Sequence, residues 1–380
     1  MRVALDSCFL LPHPEGFSRF TREVGRRLVQ YHPEITFDFL TDHKLDPKFH
    51  FGPNQHTHLL FPPNRHWTLY EVWWRFAVPW YVRKYRPSVF FLTYGQTPID
   101  LSRKVPMVAF IHDVGFARHP EFITRGWYSY YMRAVGKAIH TAKLLIANSL
   151  SVKQDLLELF GAEESRIRIA YSGCDVDFFH PLSEAEIQAI REQYAEGHPY
   201  VLYVGSLHRR KNPLRALQAY ERLRSEYFTE PLRFIVVGRF LFGKMREVED
   251  WYHRMRFRAE VSFLSYLSDP QLHKLYGAAA VVFYPSLYEG FGSPVAEGLA
   301  VGVPVVTSRV SSLPEVGGEA AFYANPYDVE DIARALYQAL TLSPQERHHR
   351  AQLGRRHVMQ FSWDRCVQEI WNALQEAAGE

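Results

Sequence analysis

Short apolar runs recur from one end of this chain to the other, and segments of helical period separate most of them. Seven runs in the first half read as strands: Arg2–Asp6, Ile35–Thr41, Thr57–Phe61, Val89–Tyr94, Met107–Asp113, Leu144–Ser149 and Ile167–Ser172. Six more follow at Tyr200–Ser206, Arg233–Arg239, Val261–Leu267, Val281–Ser286, Pro304–Ser308 and Ala320–Tyr323. Arg125–Ala142, Leu214–Arg224 and Val329–Leu340 are among the helical stretches between them. Runs such as FIVVG and AVVFYPS are apolar at consecutive positions, so both faces of the strand must be covered. That is the pattern of a parallel sheet under helices, and it confines the chain to the α/β class.

A length of 380 residues favours two such domains. The alternation pauses at HPLSEAEIQAIREQYAEGHP, a polar stretch bracketed by His-Pro pairs, which is read as the linker. Residues 1–180 are thus expected as one domain and residues 181–362 as a second. Residues 363–380 are expected as a helix crossing back to the first. Each domain is expected as a Rossmann-like, doubly wound parallel sheet, the two facing a deep cleft. Ligands of such sheets sit beyond the carboxyl ends of the strands, so the chemistry belongs to the loops that follow strands.

Composition removes several function classes. Lys+Arg 44 against Asp+Glu 41 gives a net charge of +3, too even for a nucleic-acid binder with a strongly basic face. Three scattered cysteines, Cys8, Cys174 and Cys366, build neither a disulfide framework nor a CxxC metal site, which points to a reducing, cytoplasmic setting. The opening MRVALDSCFLLPHPEG reads as a first strand rather than a signal peptide, and no uncharged apolar run reaches membrane-spanning length. Residues 1–180 hold 22 Lys+Arg against 17 Asp+Glu, and the remainder 22 against 24, so an anionic surface partner belongs to the first domain.

Several motifs fail on inspection. GRFLFGKM, Gly238–Met245, has P-loop spacing but places Met245 where a Mg²⁺-binding hydroxyl is needed. GFGSPV, Gly290–Val295, lacks the third glycine of a dinucleotide fingerprint. Asp175 and Asp177 read as a turn. His56, His58, His348 and His349 lack a nearby carboxylate at ligand spacing and read as surface residues; no metal site is expected.

One segment survives: PSLYEGFGSPVAEGLAVGVPVVTS, Pro285–Ser308. A strand ends near Ser286, a glycine-rich loop follows, and a helix starts with Ser293 as N-cap and Pro294 as first helical residue. Such a start aims unpaired N–H groups and a partial positive charge at an anion. Gly290 and Gly292 let backbone approach a ligand, and Glu289 and Glu297 carry carboxylates suited to neighbouring hydroxyls at its two ends. The plainer alternative makes Glu289 a helix-dipole partner and Glu297 a solvated helix residue.

This run resembles the E-x7-E signature of the family-4, GT-B fold retaining glycosyltransferases. Similar too are VLYVGSLHRRKNPLRALQAY (Val201–Tyr220), FLSYLSDPQLHKLYGAAAVVFYPS (Phe263–Ser286) and SRVSSLPEVGGEAAFYANPYDVEDIARAL (Ser308–Leu336). PEGFSRFTREV, FIHDV, ANSLSVKQDL and SGCDVDFFHP match more loosely, in the family's order. The resemblance implies a nucleotide-sugar donor on the second domain and a glycan or lipid-linked acceptor on the first. It implies that Glu297 takes the donor ribose, that Glu289 lies by the sugar ring, and that Phe291, Gly292 and Ser293 present amides to the sugar or diphosphate. Arg210 and Lys211 match the basic pair that stabilises the leaving diphosphate. Tyr266 and Leu267 match the nucleobase-binding strand end, and His112 a histidine near the sugar's hydroxymethyl group and the acceptor. Gly16 alone clearly matches the family's first glycine loop, and Ser206 stands where some members carry arginine. The implied reaction is a front-face, retaining transfer, with mannose the family-based preference for the sugar and with no metal and no other cofactor. Two rivals are a GT-B sugar-nucleotide epimerase and a catalytically silent GT-B scaffold.

Aromatics make up 15% of the chain, and four of its eight tryptophans, Trp67, Trp73, Trp74 and Trp80, fall in NRHWTLYEVWWRFAVPWYVRKYRP. With four interspersed cations and Arg65 just before it, the Trp67–Arg86 stretch fits peripheral contact with the inner face of the cytoplasmic membrane. Apolar residues on nearly every side fit a buried helix or acceptor-pocket wall equally well.

Overall fold

The computed structural model describes residues 1–11, 16–63, 67–238, 245–265 and 267–379, with the backbone alone for Gly16, Phe17, Trp67 and Thr68. The chain forms two units, Met1–Gly173 with Trp363–Glu380, and Cys174–Ser362.

Unit 1 is built on seven parallel strands: β1 (Arg2–Asp6), β2 (Thr36–Thr41), β3 (Gln55–Leu59), β4 (Val89–Leu92), β5 (Met107–Ile111), β6 (Leu144–Ala147) and β7 (Ile167–Ile169). Their order is β3-β2-β1-β4-β5-β6-β7, doubly wound about β1. Unit 2 repeats the plan with β8 (Tyr200–Val204), β9 (Arg233–Val237), β10 (Val261–Leu264), β11 (Val281–Tyr284), β12 (Val305–Ser308) and β13 (Phe322–Ala324), ordered β10-β9-β8-β11-β12-β13. Every residue of β4, β5, β6, β11 and β12 is buried, which is why these strands read as unbroken apolar runs.

The helix Trp363–Ala378 packs on unit 1, where Trp363, Val367, Ile370, Trp371 and Leu374 join Val3, Phe37 and Phe91 in one apolar core. Gly173 admits that helix: a Cβ there would sit 2.3 Å from the Trp363 ring. The first crossing falls at 173/174, upstream of the expected 180/181, because the next residues already pack on unit 2. The Phe179 ring meets Tyr276 at 5.9 Å, and His273 Nε2 donates to the His180 carbonyl at 2.9 Å. The stretch read as a polar pause contains the helix Glu184–Ala195, started by a reciprocal Ser183–Glu186 capping box.

His58 corrects the surface reading. Its Nε2 lies 3.0 Å from Asp38 Oδ1, and Asp38 also receives the Tyr81 hydroxyl and lies 3.3 Å from Arg2. The partner carboxylate comes from a neighbouring strand, which spacing along the chain does not reveal.

The Trp67–Arg86 segment is helical with a wide turn in its middle, where the Val78 N–H reaches back five residues to the Trp73 carbonyl. Trp73 and Trp74 are 0% exposed, against the apolar face of the sheet. They are core, and the membrane reading fails for them. Leu69, Val72, Phe76 and Trp80 emerge on the outer side, Phe76 at 69% and Trp80 at 49% exposure. Among the described residues no helix is long and apolar enough to cross a membrane.

Candidate active site

The geometry of unit 2 converges on Glu289. Strand β11 ends at Tyr284, and the chain turns through Pro285–Gly292 before the helix Ser293–Ala300. Glu289 is 5% exposed on this turn. Its Oε1 accepts from Lys211 Nζ at 2.6 Å and from the Tyr284 hydroxyl at 2.8 Å, and its Oε2 accepts from Arg210 Nη1 at 2.9 Å. Lys211 also donates to the Tyr284 oxygen and lies 4.9 Å from the centre of that ring. Burial raises the Glu289 pKa, but Arg210 and Lys211 more than reverse this and hold it at about 2. The carboxylate is charged at any physiological pH.

The two cations come from a single turn, Arg209–Lys211, after β8. Asn212 fixes that turn: with φ +58° it opens the next helix, and its Nδ2 donates to the Pro285 and Pro326 carbonyls at 3.1 and 2.7 Å. The Tyr203 hydroxyl donates to the Lys211 carbonyl at 3.0 Å. On the far side of the loop, Ser311 Oγ accepts from the Glu289 N–H at 2.8 Å, and Ser312 Oγ lies within 3.0 Å of the Glu289 and Phe291 carbonyls. Sequence reading singled out Glu289, Arg210 and Lys211 but missed Tyr284, Asn212, Ser311 and Ser312. Only their polar atoms beside the loop mark them, and these become visible once β8, β11 and β12 lie side by side.

The helix start differs by one residue from expectation. Gly292 is the N-cap, with φ +107°, and Ser293 is the first helical residue. No side chain caps this end; Pro294 has no N–H and the Val295 N–H turns back to the Gly292 carbonyl at 2.9 Å, so it is the Ser293 amide and the helix dipole that this end offers an anion. Glu297, one turn in, is 5% exposed and belongs to the buried layer, not the solvated face. Phe291 is buried, and Ser293 is exposed. Ser206 lies half-buried beyond β8 and Leu267 half-buried beyond β10. Tyr266 lies outside the described residues, as do residues 239–244 of GRFLFGKM. Among the described residues no three His, Cys, Asp or Glu side chains gather as a metal-binding group.

In unit 1, His112 follows β5, and Gly16 opens the helix Gly16–Tyr31 after β1. His112 Nε2 lies 2.8 Å from the Thr93 carbonyl, so that nitrogen carries the proton. Burial lowers the ring's pKa to about 4, leaving a neutral imidazole packed edge-on against Phe20 at 4.6 Å. Asp113, whose charge acts on the ring against the effect of burial, accepts from the Gly115 N–H at 2.9 Å.

This site can hold a polyanion against two cations and a helix terminus, with a carboxylate beside it for hydroxyl groups. Comparison with known proteins agrees with that chemistry. The family described as glycosyl transferases group 1 matches residues 186–357, and that described as glycosyltransferase family 4 matches residues 14–178. The O-antigen chain mannosyltransferase B of Escherichia coli is 32% identical over 299 residues, covering 77% of this chain and 76% of that protein. The structure of sucrose-phosphate synthase from Thermosynechococcus elongatus shares the fold with a TM-score of 0.79 at 19% identity, over 99% of this chain and 98% of the other. That of Anabaena HepE in complex with UDP-glucose does so with a TM-score of 0.74 at 18% identity, over 99% of both chains.

Proposed function

The chain is a family-4 glycosyltransferase of the GT-B fold, and on that footing we propose that it moves a mannosyl residue from a nucleotide sugar to a glycan or lipid-linked acceptor, with retention of configuration and without a metal ion. The observation that carries the reading is the Arg210–Glu289–Lys211 cluster beside an uncapped helix start. Mannose is favoured by the name of the E. coli relative, and a nucleotide-sugar donor by the ligand of the Anabaena structure.

Glu289 pairs with both cations and offsets one of their two charges. A donor diphosphate competes for Arg210 and Lys211, freeing the carboxylate for the hydroxyls of the sugar. As the glycosidic bond to the diphosphate breaks, negative charge grows on the leaving oxygen. Lys211, Arg210 and the helix start stabilise it, supplying from the protein the charge that a metal supplies elsewhere. The departing diphosphate accepts the acceptor's proton on the face from which it leaves, so configuration is retained. Glu297 holds the donor ribose, and His112 serves on the acceptor side as a neutral hydrogen-bonding ring.

The test is nucleoside diphosphate release from GDP-mannose, UDP-glucose and ADP-glucose, with and without polyprenyl-linked glycan acceptors. NMR of the product gives the anomeric configuration, and EDTA-treated protein tests the metal. Acceptor-dependent release of GDP with retention supports the reading. Release without any acceptor turns it toward an epimerase or hydrolase, and no release from any donor toward a silent scaffold. Turnover lost with EDTA and restored by Mg²⁺ removes the metal-free step.

Contact with an anionic membrane is part of the same proposal. Leu69, Val72, Phe76 and Trp80 form an exposed apolar stripe, and exposed Arg75, Arg83 and Lys84 flank it. Phe76→Ser/Trp80→Ser is expected to lose co-sedimentation with phosphatidylglycerol vesicles that the wild type shows. Equal binding removes the idea.

A further inference from the structure

Unit 2 holds a second pair of basic side chains that the donor site leaves unused. Arg191, on the helix Glu184–Ala195, and Arg347, on the helix Pro344–Val358, line one groove of about 430 Å³. Pro199 immediately precedes β8, and Ala279 and Ala280 precede β11, so the groove lies at the amino edge of the sheet. Arg210 and Glu289 lie at the opposite edge.

Each guanidinium is anchored by main-chain carbonyls. Arg191 Nε donates to the Ala278 carbonyl at 3.2 Å, and Arg347 Nη1 to that of Ala280 at 3.1 Å. Arg347 Nη2 reaches the Ala339 carbonyl at 3.5 Å. The Ala278 and Ala339 carbonyls lie at helix ends and are natural partners for a cation, and capping explains one arginine at a time. It does not explain two in one half-buried groove. Neither has a carboxylate partner among the described residues, and Glu184, the acidic residue along the groove, is exposed in the first turn of its helix. Burial, and after it the charge of Arg191, lower the pKa of Arg347 from its ordinary value. Like charges held together in this way are relieved by a bound anion. Leu182, Phe228, Val301 and Leu340 supply apolar wall, so the groove combines a few fixed polar groups with a mostly apolar lining.

We propose that this groove is a second anion site, in which Arg191 and Arg347 take the phosphate of a small phosphomonoester and the apolar walls take its organic remainder. One short helix spans the unit between the two sites. Ser293–Ala300 begins at Gly292 beside Glu289 and runs out into Val301 and Gly302 of the groove wall. An occupant therefore bears on the far end of the helix that carries Glu297.

Phenyl phosphate is the probe, titrated calorimetrically into the full chain, with benzyl alcohol as neutral control. Wild type and Lys211→Ala are expected to bind it alike, and Arg191→Gln and Arg347→Gln each to weaken binding about tenfold or more. Benzyl alcohol is expected to give no heat. Binding that survives both arginine substitutions overturns the proposal. So does binding lost in Lys211→Ala, which puts the anion in the donor site, and so does a wild type that binds nothing, which leaves the arginines as helix caps. If Arg347→Gln fails to fold, folded Arg191→Gln decides, because unchanged affinity there refutes the site. The measurement is independent of sugar transfer, so failure here and failure of the proposed reaction are separate results.

Discussion

Glu289→Gln removes the charge that Arg210 and Lys211 share while keeping the shape of the side chain. The carboxyl titrates at 4.5 in an ordinary setting and at about 2 here, where the two cations outweigh the opposing effect of burial. A carboxyl whose pKa falls on folding adds stability above its unfolded value and loses it as the pH drops through the folded one. The shift is worth about 3 kcal/mol at pH 7 and about 2 kcal/mol at pH 3.5, fading to a few tenths by pH 2. The side chain is 6% exposed, so solvent screening takes little from this figure. Urea unfolding of wild type and Glu289→Gln, followed by circular dichroism at pH 7, 5 and 3.5, measures it. The variant is expected to be less stable by about 3 kcal/mol at pH 7, with the gap narrowing to about 2 kcal/mol at pH 3.5. A gap that stays constant with pH, or no gap at pH 7, refutes the ion-pair account.

Tyr284→Phe deletes the oxygen that accepts from Lys211 and donates to Glu289. Turnover is expected to fall about tenfold with an unchanged circular dichroism spectrum, and unaltered turnover would show that Glu289 alone holds the lysine. Gly292→Ala forces a side chain onto φ +107° and places its Cβ 2.7 Å from Leu313 Cδ2. A loss of about 1–3 kcal/mol in urea unfolding is expected, and an unchanged midpoint would deny the strain. Glu297→Ala is expected to raise the donor KM with the fold intact; a normal KM would reject a ribose contact.

Most strands were legible because they are apolar enough to stand out, and their ends were not; β3, QHTHL, is polar and half-exposed, and the expected Thr57–Phe61 lies two residues beyond it. Val89–Tyr94 reads as one run, yet the ladder stops at Leu92, because Thr93 and Tyr94 already belong to the loop that meets His112. The helix Glu184–Ala195 escaped notice because only Ile190 and Ala195 on it are buried, too few to show a period. Trp73 and Trp74 were ambiguous for a different reason. The wide turn after Val72 adds backbone between faces, and a fixed 3.6-residue period cannot assign sides across it. In the site, charged residues at strand ends announce themselves, as Glu289, Arg210 and Lys211 did. Tyr284 did not, because a tyrosine closing a buried strand looks like any other core aromatic until its hydroxyl is seen between a lysine and a glutamate.

The helix Trp363–Ala378 carries a consequence for synthesis. Val3, Phe37 and Phe91 leave the ribosome early, but the side chains that cover them, Ile370, Trp371 and Leu374 among them, emerge only after all of unit 2. Unit 2 has every strand of its sheet in hand before that helix is made. Unit 1, although first out, must wait with an uncovered apolar face, so the order of completion reverses the order of translation. A nascent chain stalled before Trp363 would present that face to chaperones, and a premature stop there would cost the amino-terminal unit its closure rather than the carboxy-terminal one.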